Sequence, residues 1–367
     1  MKRYFLIVVL LILVGSILSQ TAMAQADKAA QRPQRRQSAE RNLAILLFDR
    51  VQIIDYTGPY ETFGRTFKKD GSEINIYTVA EKAGAITTAM GMSVNPTYSF
   101  ENAPQPDILL IPGGNGVWKQ LDNPVVVKWI QDKAKNAEVV MSVCNGAFFL
   151  AKAGLLDGQE ATTTFSLIGQ LKGAAPKARV VDDVRFVDNG KIITTAGLSS
   201  GIDGSLHLIE RLYGKGMAQM AAVGMEYDWD PESKYVRAAT AEKYMPFAYE
   251  SKVINDGWKP LMREGNLDRW ESKWLVSAES GPAEFLENVN SDISRNRTFG
   301  GLASPKWVRV NGVSSRSATQ STWQFTDAKG GLWNGTVRLE PVAGEQNRFT
   351  LSVKISRNKS RARLPDK

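Results

Sequence analysis

From residue 42 to about 230 the chain alternates short apolar runs with stretches of helical spacing. Residues 43–48 (LAILLF), 74–79 (INIYTV), 107–111 (DILLI) and 138–143 (EVVMSV) have the length of strands. Runs this continuously apolar mark strands covered on both faces. Residues 125–135 place Val126, Trp129, Ile130 and Ala134 on one side of a helix, and residues 202–213 do the same with Leu206, Ile209 and Leu212. A further helix is expected over 147–153, and strands over 179–187 and 191–196 flank a turn at Asp188-Asn189-Gly190. Strands alternating with helices over 42–230 predict an α/β domain on a doubly wound, mostly parallel sheet. In such sheets ligands sit beyond the carboxyl ends of the strands.

The pattern changes after residue 230. Residues 231–295 read as a helical connector, with helical segments over 267–290 broken at Gly281-Pro282 and a stripe of Trp270, Trp274 and Leu275. Residues 306–310, 321–325, 335–340 and 349–355 then alternate apolar and polar positions, and turns fall at Asn311-Gly312, 328–331 and 343–345. They predict a small antiparallel β module over 296–367. Trp307, Trp323 and Trp333 suit the core of that module better than an exposed carbohydrate or ligand surface.

The first residues carry a different signal. Lys2 and Arg3 precede an apolar run over 4–18, broken at Gly15 and Ser16, and Ala22-Met23-Ala24 has small residues at both ends. This is the layout of a cleavable signal peptide over 1–24, with cleavage after Ala24. The run falls short of the roughly 20 apolar residues that a membrane span needs. A periplasmic or secreted protein is therefore expected. Residues 25–41 are polar and basic and read as a linker. The formal charge of +8 becomes +6 once Lys2 and Arg3 leave with the signal segment. The basic surplus is spread along the chain rather than gathered on one recognition element, so no nucleic-acid partner is expected. The late run over 357–367 (RNKSRARLPDK) reads as a solvated tail.

Cys144 is the single cysteine of the 367 residues, so no internal disulfide can form, although export would permit one. It follows a buried strand and directly precedes a helix, in Ser142-Val143-Cys144-Asn145-Gly146. A residue on such a sharp strand-to-helix turn projects from the top of the sheet beside the first helical amides, which is the geometry of a nucleophile elbow. The partial positive charge of a helix N-terminus favours thiolate. The Gly113-Gly114 loop also lies at a strand end, and its amides, with that of Asn145, could form an oxyanion hole for the same point. A buried structural cysteine remains the alternative. No Gly-x-Gly-x-x-Gly follows a strand and no Cys, His and carboxylate cluster is evident, so neither a cofactor nor a metal is expected.

Residues 46–63 (LLFDRVQIIDYTGPYETF), 107–117 (DILLIPGGNGV), 139–164 (VVMSVCNGAFFLAKAGLLDGQEATTT) and 194–214 (TTAGLSSGIDGSLHLIERLYG), followed by MEYDWDP over 225–231, together resemble the ThiJ/PfpI superfamily. Within it they are most similar to the isonitrile hydratase-like branch, and the resemblance covers about 42–230. It implies a class I glutamine amidotransferase-like, flavodoxin-like fold and a homodimer. It matches Cys144 to the elbow cysteine. It also matches Asp55 to the acidic residue that approaches it from the first strand–helix loop and takes part in proton transfer. A carboxylate beside a thiol opposes thiolate when ionised and supports it when protonated, and the two titrate as a unit. A helix N-cap is the alternative role for Asp55.

The chain departs from that branch at two positions. Asn145 stands where the hydratases have Thr; its backbone N–H is retained and its side chain offers the site a donor and an acceptor. Thr164 stands where relatives often have His, and the lone His207 lies mid-helix as a packing residue, so a Cys–His dyad and peptidase activity are not expected. Tyr60, Asn115, Thr164 and Phe165 are expected pocket walls, and Glu226-Tyr227 is read as the cap of the last helix. The same domain opens certain AraC-type regulators, but the β-patterned tail has no helix-turn-helix pair. The expected function is hydration or hydrolysis of a small electrophilic molecule by Cys144. A non-catalytic ligand-binding or redox-sensing protein using the same pocket is the second reading.

Overall fold

The computed structural model describes residues 41–66, 74–232, 240–246, 256–295, 305–310, 319–327 and 329–358. The expected signal peptide and linker, the turn at Asn311-Gly312 and most of the basic tail lie outside the described residues. The first half opens with β1 (Asn42–Leu46), α1 (Ile53–Gly64), β2 (Asn75–Ala80), the short β3 (Ile86–Thr87), β4 (Ser93–Val94) and β5 (Tyr98–Ser99), then β6 (Ile108–Ile111). It continues through α2 (Val117–Gln120), α3 (Pro124–Asn136), β7 (Val139–Val143), α4 (Ala147–Lys152), β8 (Glu160–Ala161), α5 (Ile168–Ala174) and β9 (Arg179–Val180). It closes with β10 (Phe186–Asp188), β11 (Ile192–Thr195), α6 (Ser200–Tyr213) and α7 (Lys215–Gly224).

Seven strands form one sheet in the order β10-β11-β7-β6-β1-β2-β5. All neighbours run parallel except β10 and β11. Every residue of β6 and β7 is buried, as their unbroken apolar runs require when helices cover both faces. Asn123 caps α3 by accepting the Val125 N–H, Pro124 occupies the first turn, and Val126, Trp129, Ile130 and Ala134 are the buried face. From β1 the chain steps to β2 on one side and later to β6 on the other. The carboxyl ends of β1 and β6 therefore border a topological switch point, where open α/β sheets bind ligands. Residues 179–187 do not form one strand. β9 pairs with β8 in a separate ladder, and the chain re-enters the main sheet only at Phe186.

A second hydrophobic core belongs to the C-terminal part. β12 (Lys259–Gly265), β13 (Arg269–Ser277), α8 (Pro282–Ser294), β14 (Val308–Arg309), β15 (Gln320–Thr326), β16 (Leu332–Pro341) and β17 (Arg348–Arg357) follow in order. The strands make an antiparallel sheet, β12-β13-β17-β16-β15-β14. The expectation of a helical connector over 231–295 is corrected here, because 259–265 and 269–277 are paired strands and, among the described residues of that stretch, the long helix is 282–294. Trp270 and Trp274 are four residues apart, which fits one helical turn and two strand periods equally well; β13 uses the strand period and buries Trp274 beside Val276. Trp307, Trp323 and Trp333 are all core residues, with Phe325 stacked between Trp307 and Trp333 and Leu286, Val289 and Ile293 of α8 in the same cluster.

Trp307 lies directly over Gly335, where an added Cβ would stand 2.5 Å from its Cζ3. Gly335→Ala is expected to destabilise the full chain by about 1–3 kcal/mol through overpacking. Urea unfolding followed by tryptophan fluorescence measures this, and an unchanged midpoint would show that Trp307 does not seat there.

Candidate active site

Three strand ends deliver the site. Asp55 comes from the first turn of α1 after β1, Gly113 and Gly114 follow β6, and Cys144 follows β7. Cys144 begins a single 3-10 turn (Cys144–Gly146) with φ 57°, a left-handed conformation that is uncommon for a side chain with Cβ and recurs at functional sites. The surroundings enforce it: the Cys144 N–H donates to the Ala196 carbonyl at 3.0 Å, and the Thr163 hydroxyl donates to the Cys144 carbonyl at 2.8 Å. Cys144 is partly exposed, while Asp55 is completely buried.

The Gly113 N–H donates to Asp55 Oδ2 at 3.1 Å, and the carboxyl faces the Leu198 N–H and the Cys144 thiol. Asp55 Oδ1 is buried with no hydrogen-bond partner among the described residues. Burial pushes the Asp55 carboxyl up to about 7, against the pull of the Gly113 and Leu198 amides and the thiol. The Cys144 thiol is also pushed up, first by burial and then by the Asp55 charge, against the Asn145 amide and the Thr164 hydroxyl. The expected lowering of the thiol by the helix N-terminus is thereby reversed: one amide and one hydroxyl do not offset burial beside a carboxylate. The pair behaves as a single acid that holds its last proton tightly.

The expected oxyanion hole is corrected by the same hydrogen bonds. The Gly113 amide is committed to Asp55, and the Gly114 amide donates to Asn145 Oδ1 at 2.7 Å. Asn145 Nδ2 donates back to the Gly114 carbonyl at 3.0 Å. Asn145 therefore uses its side chain to clamp the β6 loop onto the elbow and offers the site only its backbone N–H, which points at Cys144. A Cβ at Gly113 would stand 2.2 Å from Asn145 Oδ1 and 2.9 Å from both Asp55 Oδ2 and Cys144 Cβ, so only glycine fits between the three.

Of the expected pocket walls, Thr164 reaches the Cys144 sulfur. Phe165 is partly exposed in the next turn and borders a small cleft with Thr162, Thr163 and Ala196. Tyr60 and Asn115 are exposed on α1 and the β6 loop. His207 is engaged elsewhere, with Nε2 2.8 Å from Asp188 Oδ2 and its ring stacked on Phe186. Glu226 and Tyr227 close α7 through backbone N–H donors to Val223 and Ala222, as read from the sequence, but the Tyr227 hydroxyl also donates to Asp203 in α6. Among the described residues no three His, Cys, Asp or Glu side chains gather as metal ligands.

Two outcomes follow from this geometry. Asn145→Ala orphans the buried Gly114 N–H and is expected to destabilise the protein by about 1–3 kcal/mol in denaturant titration. For Asp55→Asn the effect depends on pH. The folded carboxyl keeps its proton to about 7, whereas the ordinary value is 3.8, so native stability is full below about 3.8 and falls as pH rises toward 7. The variant, which cannot ionise, is expected to gain on the wild type across that window, by up to roughly 4 kcal/mol above pH 7. Urea midpoints at intervals across the window read the difference, and a constant offset would contradict it.

Comparison with known proteins places this site in a lineage. A profile of the DJ-1/PfpI family matches residues 41–211. Isonitrile hydratase of Pseudomonas putida is 34% identical over 188 residues, covering 50% of this chain and 78% of that protein. The HTH-type transcriptional regulator GbdR of Pseudomonas aeruginosa is 25% identical over 175 residues, covering 47% of each chain. The crystal structure of a ThiJ/PfpI family protein from Pseudomonas syringae has 28% identity and a TM-score of 0.48, covering 55% of this chain and 83% of that one. With its parallel sheet, its elbow cysteine and a 34% identical relative matched over most of its length, the chain belongs to the DJ-1/PfpI family.

Proposed function

We propose that this protein is an exported, homodimeric cysteine-dependent hydratase acting on a small molecule with an electrophilic carbon multiply bonded to nitrogen, of the isonitrile type. The carrying observation is the buried Asp55 carboxyl, raised to about 7 and facing Cys144. With one proton shared between them, the pair can present thiolate and carboxylic acid together. The thiolate forms an S–C bond to the terminal carbon, and the Asp55 proton goes to that carbon. Water then adds its oxygen to the carbon of the S–C=N unit, one of its protons going to nitrogen and the other returning to Asp55; the C–S bond breaks with its electron pair back on sulfur, and an N-substituted formamide leaves. Substrate plus one water equals product, and no cofactor enters. The identity to an isonitrile hydratase over half the chain supports the substrate class, and the 1–24 pattern supports export.

One observation favours the ligand-binding form of the second reading, in which the same pocket holds a ligand without turnover: the thiol lies above its ordinary range, which works against both nucleophilic attack and redox sensing. A panel of aliphatic and aromatic isonitriles, nitriles and 2-oxoaldehydes, followed by proton NMR, separates the two. The hydratase reading expects formamide product and a kcat/KM that rises through a step near pH 7. It also expects loss of turnover in Cys144→Ala and a drop of about 10²–10⁴-fold in Asp55→Asn. No turnover on any class by folded wild type sinks it.

A further inference from the structure

The segment over 196–199 closes the site from the side opposite Gly113. The Ala196 carbonyl accepts the Cys144 N–H at 3.0 Å, and the Leu198 N–H faces the Asp55 carboxyl. A Cβ at Gly197 would stand 3.0 Å from Thr164 Oγ1 and 3.6 Å from Cys144 Sγ. Leu198 holds φ 56°, a left-handed conformation that an unrestrained leucine would leave. Something must hold the segment in that shape.

Arg185 grips it at both ends. Its backbone carbonyl accepts the Ala196 N–H at 2.8 Å, and its guanidinium donates to Ser199 Oγ at 3.1 Å. The same guanidinium is paired with Asp203 in the first turn of α6, and both side chains are buried. Tyr227, beyond the end of α7, completes the group by donating to Asp203 Oδ1 at 3.0 Å. A buried ion pair is a costly way to stabilise a fold compared with an apolar pair, yet losing one partner is strongly destabilising. Such a pair acts best where it fixes geometry.

We propose that Arg185, Asp203 and Tyr227 are positioning residues, a buried latch that holds the 196–199 segment so that the Ala196 carbonyl stays on the Cys144 N–H and the Leu198 amide stays turned to Asp55, which sets how the Cys144–Asp55 pair shares its proton. None of the three touches Cys144. The inference deepens the reading of that pair as the reacting centre, and it is tested without any substrate.

The test is the rate of Cys144 carbamidomethylation by iodoacetamide, followed by intact mass across pH 5–10 in the full chain. Ser199→Ala cuts the grip on the segment, Tyr227→Phe removes one leg of the latch, and Asp203→Asn neutralises its centre. Release of the segment frees the Cys144 N–H from the Ala196 carbonyl and turns the Leu198 amide away from ionised Asp55, so the lower step of the rate profile is expected to move up by about one unit in Ser199→Ala and Asp203→Asn. A smaller rise is expected in Tyr227→Phe. Asp188→Asn is the control. It breaks the contacts with His207 and Arg211 on the same helix α6 but none with the segment, so its profile should match the wild type. A purely structural role would lower stability in all four variants and leave the profiles superimposed, which overturns the proposal. If Asp203→Asn does not fold, Ser199→Ala and Tyr227→Phe carry the test alone. A shift with no turnover on any substrate would support the latch and sink the hydratase reading, so the two failures are distinguishable.

Discussion

The site depends on one buried contact, the Asp55 carboxyl against the Cys144 thiol. Neither group would be stable there alone in charged form, since burial raises both. What makes the contact sustainable is a small set of fixed dipoles. Two backbone amides from different loops, at Gly113 and Leu198, point at the carboxylate, and the Asn145 amide with the Thr164 hydroxyl points at the sulfur. The Gly113, Asn145 and Leu198 amides follow β6, β7 and β11 at the carboxyl end of the main sheet, while Thr164 follows β8 of the separate ladder, so the sheet order that creates a switch point between β1 and β6 also assembles most of the charge environment.

The donors explain why particular residues stand where they do. Gly113 has no room for a side chain because Asp55, Asn145 and Cys144 converge on it. Asn145 spends its side-chain amide on both backbone atoms of Gly114 and so acts as a clamp between the β6 loop and the elbow. Thr164 gives the sulfur a hydroxyl donor but no base near neutral pH. Proton traffic at the sulfur is therefore left to Asp55, which is why its elevated value near 7 matters more here than in a site with a histidine.

Much of this was legible in the sequence, and the reasons differ by element. β6 and β7 could be read because strands covered on both faces leave unbroken apolar runs. Cys144 could be placed because a nucleophile elbow is a local event between one strand and one helix. Asp55 as its partner came from resemblance, since nothing along residues 53–57 says which way the carboxyl turns. The stripe of Trp270 and Trp274 misled because a four-residue spacing serves both periods; the flanking partners, β12 and β17, decided it. The roles of Asn145, Arg185 and Asp203 were not legible. Their partners lie 14 to 31 residues away and meet them only when loops close in three dimensions. Tyr227 sat in a quoted motif, but its second partner in α6 left no trace along the chain.

The central claim is that Asp55 holds a proton near neutral pH because burial keeps it there, against the pull of two backbone amides and the Cys144 thiol. The most direct measurement is a carbon-13 NMR titration of the Asp55 carboxyl in protein labelled at aspartate, assigned by its loss in Asp55→Asn. The account predicts a titration step near pH 7 for this carboxyl in the wild type. It also predicts a higher step in Cys144→Ala, which removes the thiol's pull on the ionised carboxyl. A wild-type step close to 4, the value of an ordinary aspartate, would contradict it.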